Sequence, residues 1–123
     1  MKTVMVVEDD VAVLDLLDIV LRDAGYVPVL VATSEQVPQR VMSERPDVIL
    51  LDMLIEPSPG MEVLASILKM GNHPPVIMMS AEVVGARVMQ RIARSLGAAD
   101  FIEKPFDISQ LLDKLEDALR TTA

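Results

Sequence analysis

Five short apolar runs divide the chain: TVMVV at 3–7, VPVLVA at 27–32, DVILL at 47–51, PVIMM at 75–79 and DFIE at 100–103. Most are continuous rather than alternating, which is the pattern of parallel strands covered on both faces. The stretches between them have helical spacing. Leu14, Leu17, Leu21 and Ala24 step by three and four up to Gly25, and Val84, Val88, Ile92 and Leu96 repeat every four up to Gly97. The last helix opens on a capping-box pair, Asp107 and Gln110, carries Ile108, Leu111, Leu112, Leu115 and Leu119 as its stripe, and frays into RTTA. Proline positions predict a second helix from near Pro38 to Glu44, and glycines bound a third at about Met61 to Met70. Strand and helix thus alternate five times, which predicts an α/β, doubly wound, five-stranded parallel sheet in a single domain over residues 1–123.

Composition narrows the function classes. No apolar run approaches the roughly 20 residues of a membrane span, and none follows Lys2 as a signal segment would, so the expectation is a cytoplasmic protein with no membrane partner. The chain has no cysteine, which removes disulfides, thiolate metal sites and cysteine nucleophiles. A net charge of -8, one tyrosine, two phenylalanines and no tryptophan argue against nucleic-acid binding by this chain, which needs clustered cations and stacking platforms.

In such sheets ligands gather at the carboxyl ends of the strands, beside the switch in strand order. Glu8, Asp9 and Asp10 follow the first run, Asp52 the third, Ser80 the fourth and Lys104 the fifth, while the second ends without charge. With the strands in order 2-1-3-4-5, these side chains converge on one crevice. Unit charges about 4 Å apart interact by several kcal/mol at intermediate dielectric, so the acids require a cation or a proton. An all-oxygen set favours Mg²⁺ or Mn²⁺ over zinc. A carboxylate beside a divalent ion, a lysine and a hydroxyl is equipped to accept a phosphoryl group: Asp52 as nucleophile, with Ser80 and Lys104 on the transferring oxygens.

The motifs VMVVEDD, PDVILLD, VIMMSA and GAADFIEKPF, taken in order, resemble the response regulator receiver domain of two-component signal transduction, over essentially the whole chain. The resemblance implies a chemotaxis-regulator-like, (βα)5 flavodoxin-like fold and a phosphoacceptor switch rather than an enzyme, apart from its own phosphorylation and autodephosphorylation. Asp52 would take its phosphoryl group from a sensor histidine kinase or a histidine phosphotransfer protein. Metal ligands would be Glu8, Asp9, Asp52 and the backbone carbonyl of Leu54, with Asp10 capping the first helix. Ser80 and Phe101 would form the switch that changes the surface of the fourth helix, fifth strand and fifth helix towards a downstream protein target. The resemblance also implies a cis peptide at Lys104–Pro105.

The sequence departs from the family at Glu56, where proline is usual; here proline follows at Pro57. We expect the loop to keep its course and the Glu56 side chain to face water. Gly85 falls inside the predicted start of the fourth helix, which should loosen its first turn. His73 reads as a surface loop residue, and the nine methionines as core filling. Two alternatives stand beside the switch. A pseudo-receiver binding by shape alone would not need Glu8, Asp9, Asp52, Ser80 and Lys104 together. An aspartate-nucleophile magnesium phosphatase needs a second acid two residues after the nucleophile, where this chain has Leu54. The mixed, acidic fifth helix favours a stand-alone adaptor or phosphorelay protein over a receiver excised from a DNA-binding regulator.

Overall fold

The computed structural model describes residues 1–81 and 85–120. In chain order they form β1 (Thr3–Val7), α1 (Val11–Asp23), β2 (Val27–Val31), a 3-10 turn (Ser34–Gln36), α2 (Val37–Glu44), β3 (Val48–Asp52), α3 (Gly60–Leu68), β4 (Val76–Ala81), α4 (Ala86–Leu96), β5 (Asp100–Lys104) and α5 (Ile108–Arg120). The five strands pair in parallel in the order β2-β1-β3-β4-β5, as expected. Several boundaries shift by a residue or two: α2 begins at Val37, α3 runs two residues shorter at its end, and Asp52, Ser80 and Lys104 lie within the strand ladders rather than after them. Backbone pairing does not depend on side-chain polarity, so a strand can continue through its first charged residue.

Successive residues of a strand face opposite sides of a sheet, and the core divides accordingly. Met5, Val7, Ile49, Leu51, Met78 and Phe101 point to one side, where Val37, Val41, Leu64, Ile67 and Ala93 of α2, α3 and α4 cover them. Val4, Val6, Leu50, Ile77, Met79 and Ile102 point to the other, under Leu14, Leu17, Leu21, Leu111 and Leu115 of α1 and α5. All five residues of β3 are buried. That burial explains the uninterrupted apolar run before Asp52.

The caps follow the sequence at both ends of the chain. Asp10 Oδ1 accepts from the amides of Ala12 (3.0 Å) and Val13 (3.5 Å), and Asp107 Oδ1 accepts from that of Gln110 (3.2 Å). The Lys104–Pro105 peptide is cis, as the resemblance implied, and so is Glu56–Pro57.

Helix α4 corrects the sequence reading in two ways. It begins at Ala86, with Gly85 at φ +89° as its N-cap rather than inside it, so no mid-helix glycine weakens it. Val84 and the expected loose turn lie outside the described residues. The stripe Val88, Ile92 and Leu96 is exposed, at 60%, 43% and 50%, whereas Ala93 is fully buried and Met89 packs against the core. Asp100 fixes this helix and α5 to β5. Its Oδ1 accepts from Arg94 (2.8 Å), from Lys114 (3.0 Å) and from the Phe101 amide (2.8 Å).

Gly60 sets how closely α3 approaches the end of β3. Its amide donates to Met53 O at 2.9 Å, and a Cβ there would stand 2.4 Å from Asp52 O and 2.6 Å from Met53 Cα. Because those atoms are backbone, relief requires moving the strand end itself. Gly60→Ala is therefore expected to lower stability in urea by about 1–3 kcal/mol, as overpacking does, and to shift the Met53 and Leu54 amide resonances. Gly71→Ala, with nothing within 4 Å of its added methyl, should do neither.

Candidate functional site

The carboxyl ends of β1, β3 and β5 deliver Glu8, Asp52 and Lys104 to one point, although 96 residues separate Glu8 from Lys104. Lys104 Nζ donates to Glu8 Oε2 at 2.7 Å and to Asp52 Oδ2 at 3.0 Å. Glu8 is 1% exposed and Asp52 5%. Around them the backbone closes the arrangement. The Leu54 amide donates to Asp52 Oδ1 at 3.0 Å, the Asp10 amide to Glu8 Oε1 at 3.3 Å, and the Met53 amide to Met79 O at 2.9 Å.

The electrostatics of the pair are unequal. Burial, reinforced by its hydrogen bond to Asp52, pushes the Glu8 carboxyl up to about 7 against the opposing pull of Lys104. Burial also disfavours charge on Asp52, but hydrogen bonds from Glu8, the Leu54 amide and Lys104 outweigh it and hold Asp52 below the usual carboxylate range. Burial alone would lower Lys104; its bonds to the two acids hold it above an ordinary lysine. Of the two acids, Glu8 is thus the one that more readily holds a proton, and Asp52 the one that more readily carries charge.

Asp9 joins this pair from the surface. Oxygen atoms of Glu8, Asp9 and Asp52 lie within 4.8 Å of one another, and Asp9 is exposed. Three carboxylates without histidine or cysteine form a donor set for a hard divalent ion. Leu54 exposes its side chain. Ser80 is buried at the neighbouring strand end, where its hydroxyl donates to Ala81 O at 3.1 Å. Phe101 lies inside the core against the α4 side of the sheet. His73 is exposed, its Nδ1 3.0 Å from Pro74 O, in a groove of about 610 Å³ with Val41, Arg45 and Asp47 at the opposite ends of β3 and β4. Glu8, Asp9 and Asp52 do not line that groove.

Sequence reasoning missed one set of contacts. The Ser34 amide donates to Glu56 O (2.9 Å), Thr33 Oγ1 donates to the same oxygen (3.3 Å), and Ser34 Oγ accepts from the Ser58 amide (2.8 Å). The Glu56 side chain is exposed, as expected, but its carbonyl anchors the loop. Nothing in a linear pattern marks a serine for pairing 24 residues away.

A family model described as the response regulator receiver domain matches residues 4–116. The DNA-binding response regulator MtrA of Mycolicibacterium paratuberculosis is 30% identical over 119 residues, 97% of this chain and 52% of that protein. The regulatory protein VirG of Agrobacterium fabrum is 33% identical over 120 residues, 98% of this chain and 47% of that protein. The chain thus spans about half the length of these curated relatives. Among solved structures, the receiver domain of NtrX from Brucella abortus matches with a TM-score of 0.88 at 31% identity, covering 96% of this chain and 98% of that one.

The raised Glu8 carboxyl gives the site a pH signature. Because the folded-state pKa of Glu8 is raised to about 7, its protonated form favours folding at acid pH, and that contribution is lost as pH rises through the folded value. In chelator-treated protein, Glu8→Gln is expected to flatten the fall in urea stability between about pH 4.5 and 7. An unchanged slope in the variant would mean that the proton does not rest on Glu8.

Proposed function

The chain belongs to the response regulator receiver domain family, and from that premise we propose that it is a phosphoacceptor switch with Asp52 as the acceptor. The family is a signalling domain rather than a conventional enzyme. Among the described residues no helix is long and apolar enough to cross a membrane. The observation that carries the proposal is the contact of one ammonium, Lys104, with both buried carboxylates at the strand ends.

In this reading Asp52 Oδ attacks the phosphorus of a phosphohistidine on a sensor kinase or phosphotransfer protein. The P–N bond breaks, its electron pair stays on the imidazole nitrogen, and an aspartyl phosphate forms. Glu8, Asp9, Asp52 and the Leu54 carbonyl would hold Mg²⁺ or Mn²⁺, for which the cluster of carboxylate oxygens is suited. A bound ion would supply positive charge to the phosphoryl oxygens. Lys104 moves from pairing two carboxylates to pairing the phosphoryl group. Ser80, whose hydroxyl now donates only to the adjacent carbonyl, turns to the new oxygens, and Phe101 fills the space behind it. The readout is the face of α4, β5 and α5, towards a protein target. Cytoplasmic location, one domain over residues 1–123 and the absence of nucleic-acid contacts by this chain belong to the same proposal. A phosphatase reading is not favoured, because the position two residues after Asp52 is an exposed leucine, which has no proton to give.

Incubation with acetyl phosphate and Mg²⁺, followed by intact mass, is expected to add one phosphoryl group to wild type. None should appear after chelation or in Asp52→Asn. Lys104→Ala should slow the transfer by about 10²-fold or more, the scale of losing one fixed electrostatic group. An adduct that persists in Asp52→Asn would overturn the assignment.

A further inference from the structure

The displaced proline at Pro57 coincides with contacts that the switch reading does not use. Ser34 is 5% exposed, a buried polar residue outside the acid cluster. With Thr33 it makes three hydrogen bonds to the loop after β3, two to Glu56 O before Pro57 and one from the Ser58 amide after it. The near end of that loop is fixed independently, by the Met53 amide on Met79 O and the Gly60 amide on Met53 O. Leu54, whose amide holds Asp52 Oδ1, lies between these two fastenings.

We propose that Ser34 is a positioning residue: with Thr33 it fastens the far half of the loop after Asp52, and so sets how tightly that loop holds the acceptor carboxylate and its metal. The proposal rests on the phosphoacceptor reading. Ser34 touches no reacting atom and acts through the loop. The loop's course would otherwise depend on its own residues, and its only buried apolar anchors are Met53 and Ile55 at its start. A buried serine that gives its amide to one carbonyl and accepts from another amide replaces water at both groups, and removing its oxygen strands the Ser58 amide. Loosening there widens the range of positions open to the Leu54 carbonyl and amide. Metal binding then weakens, and phosphoryl transfer to Asp52 slows.

Ser34→Ala and Thr33→Val separate this role from mere stability when compared with Val41→Ala, which cuts a core side chain on α2 and removes none of the three loop hydrogen bonds. Mn²⁺ affinity of the unphosphorylated protein, followed by electron paramagnetic resonance, should fall roughly tenfold in Ser34→Ala, the lower end for residues that orient metal ligands. The effect should be smaller but in the same direction in Thr33→Val. Formation of the aspartyl phosphate from acetyl phosphate at limiting Mg²⁺, followed by intact mass, should slow by at least about threefold, as misplacement near a reacting group predicts. Val41→Ala should lower the melting temperature and leave both readouts at wild-type values. Equal changes in Val41→Ala and Ser34→Ala would overturn the proposal, as would wild-type Mn²⁺ affinity in both loop variants. If wild type accepts no phosphoryl group, the phosphoacceptor reading fails and the Mn²⁺ titration decides the fastening alone. If Ser34→Ala does not fold, Thr33→Val decides it.

Discussion

One ammonium group holds the carboxyl end of this sheet together. Lys104 on β5 reaches across the end of β4 to Asp52 on β3 and to Glu8 beyond β1. Two buried acids this close would otherwise repel, and the cost of burying them rises with every water excluded. Burial pushes the Glu8 carboxyl up to about 7 against the pull of that contact, while Asp52, with hydrogen bonds from Glu8, the Leu54 amide and Lys104, stays below the usual carboxylate range. Lysine, burial and the neighbouring carboxylate thus set the charge of the pair together.

The sheet behind the site makes the contact possible. Its interior strands are apolar on both faces, so polar residues have no place except where a strand emerges. Close approach of α3 at Gly60 brings the loop after Asp52 back over the strand end, and the Leu54 amide then meets the carboxylate. Position and chemistry are thus set by the same packing.

Much of this was legible in the sequence, for physical reasons. Continuous apolar runs identify strands buried on both faces, and five of them separated by helices leave few topologies. Asp10 and Asp107 were readable as caps because capping is local. The polar residues that bring Glu8, Asp52 and Lys104 together were readable because strand ends share one edge. The stripe on α4 was not. Val88, Ile92 and Leu96 have the spacing of a core face, but the helix buries the small Ala93 instead, and periodicity does not distinguish a face turned inward from one turned to solvent. Ser34 was invisible for a different reason: its partners are fixed by how two loops lie in space.

The 96-residue separation between Glu8 and Lys104 also governs the order in which the molecule can come into being. β1 and β3 are synthesised first and adjoin each other in the finished sheet, so their two acids can meet before β5 exists. Until the fifth strand pairs with β4, that acidic pair has no ammonium beside it. An interrupted or partly synthesised chain is thereby left with the acids and without their counter-charge. The charge cluster is complete only once β5 has joined β4, whatever else of the chain has already folded.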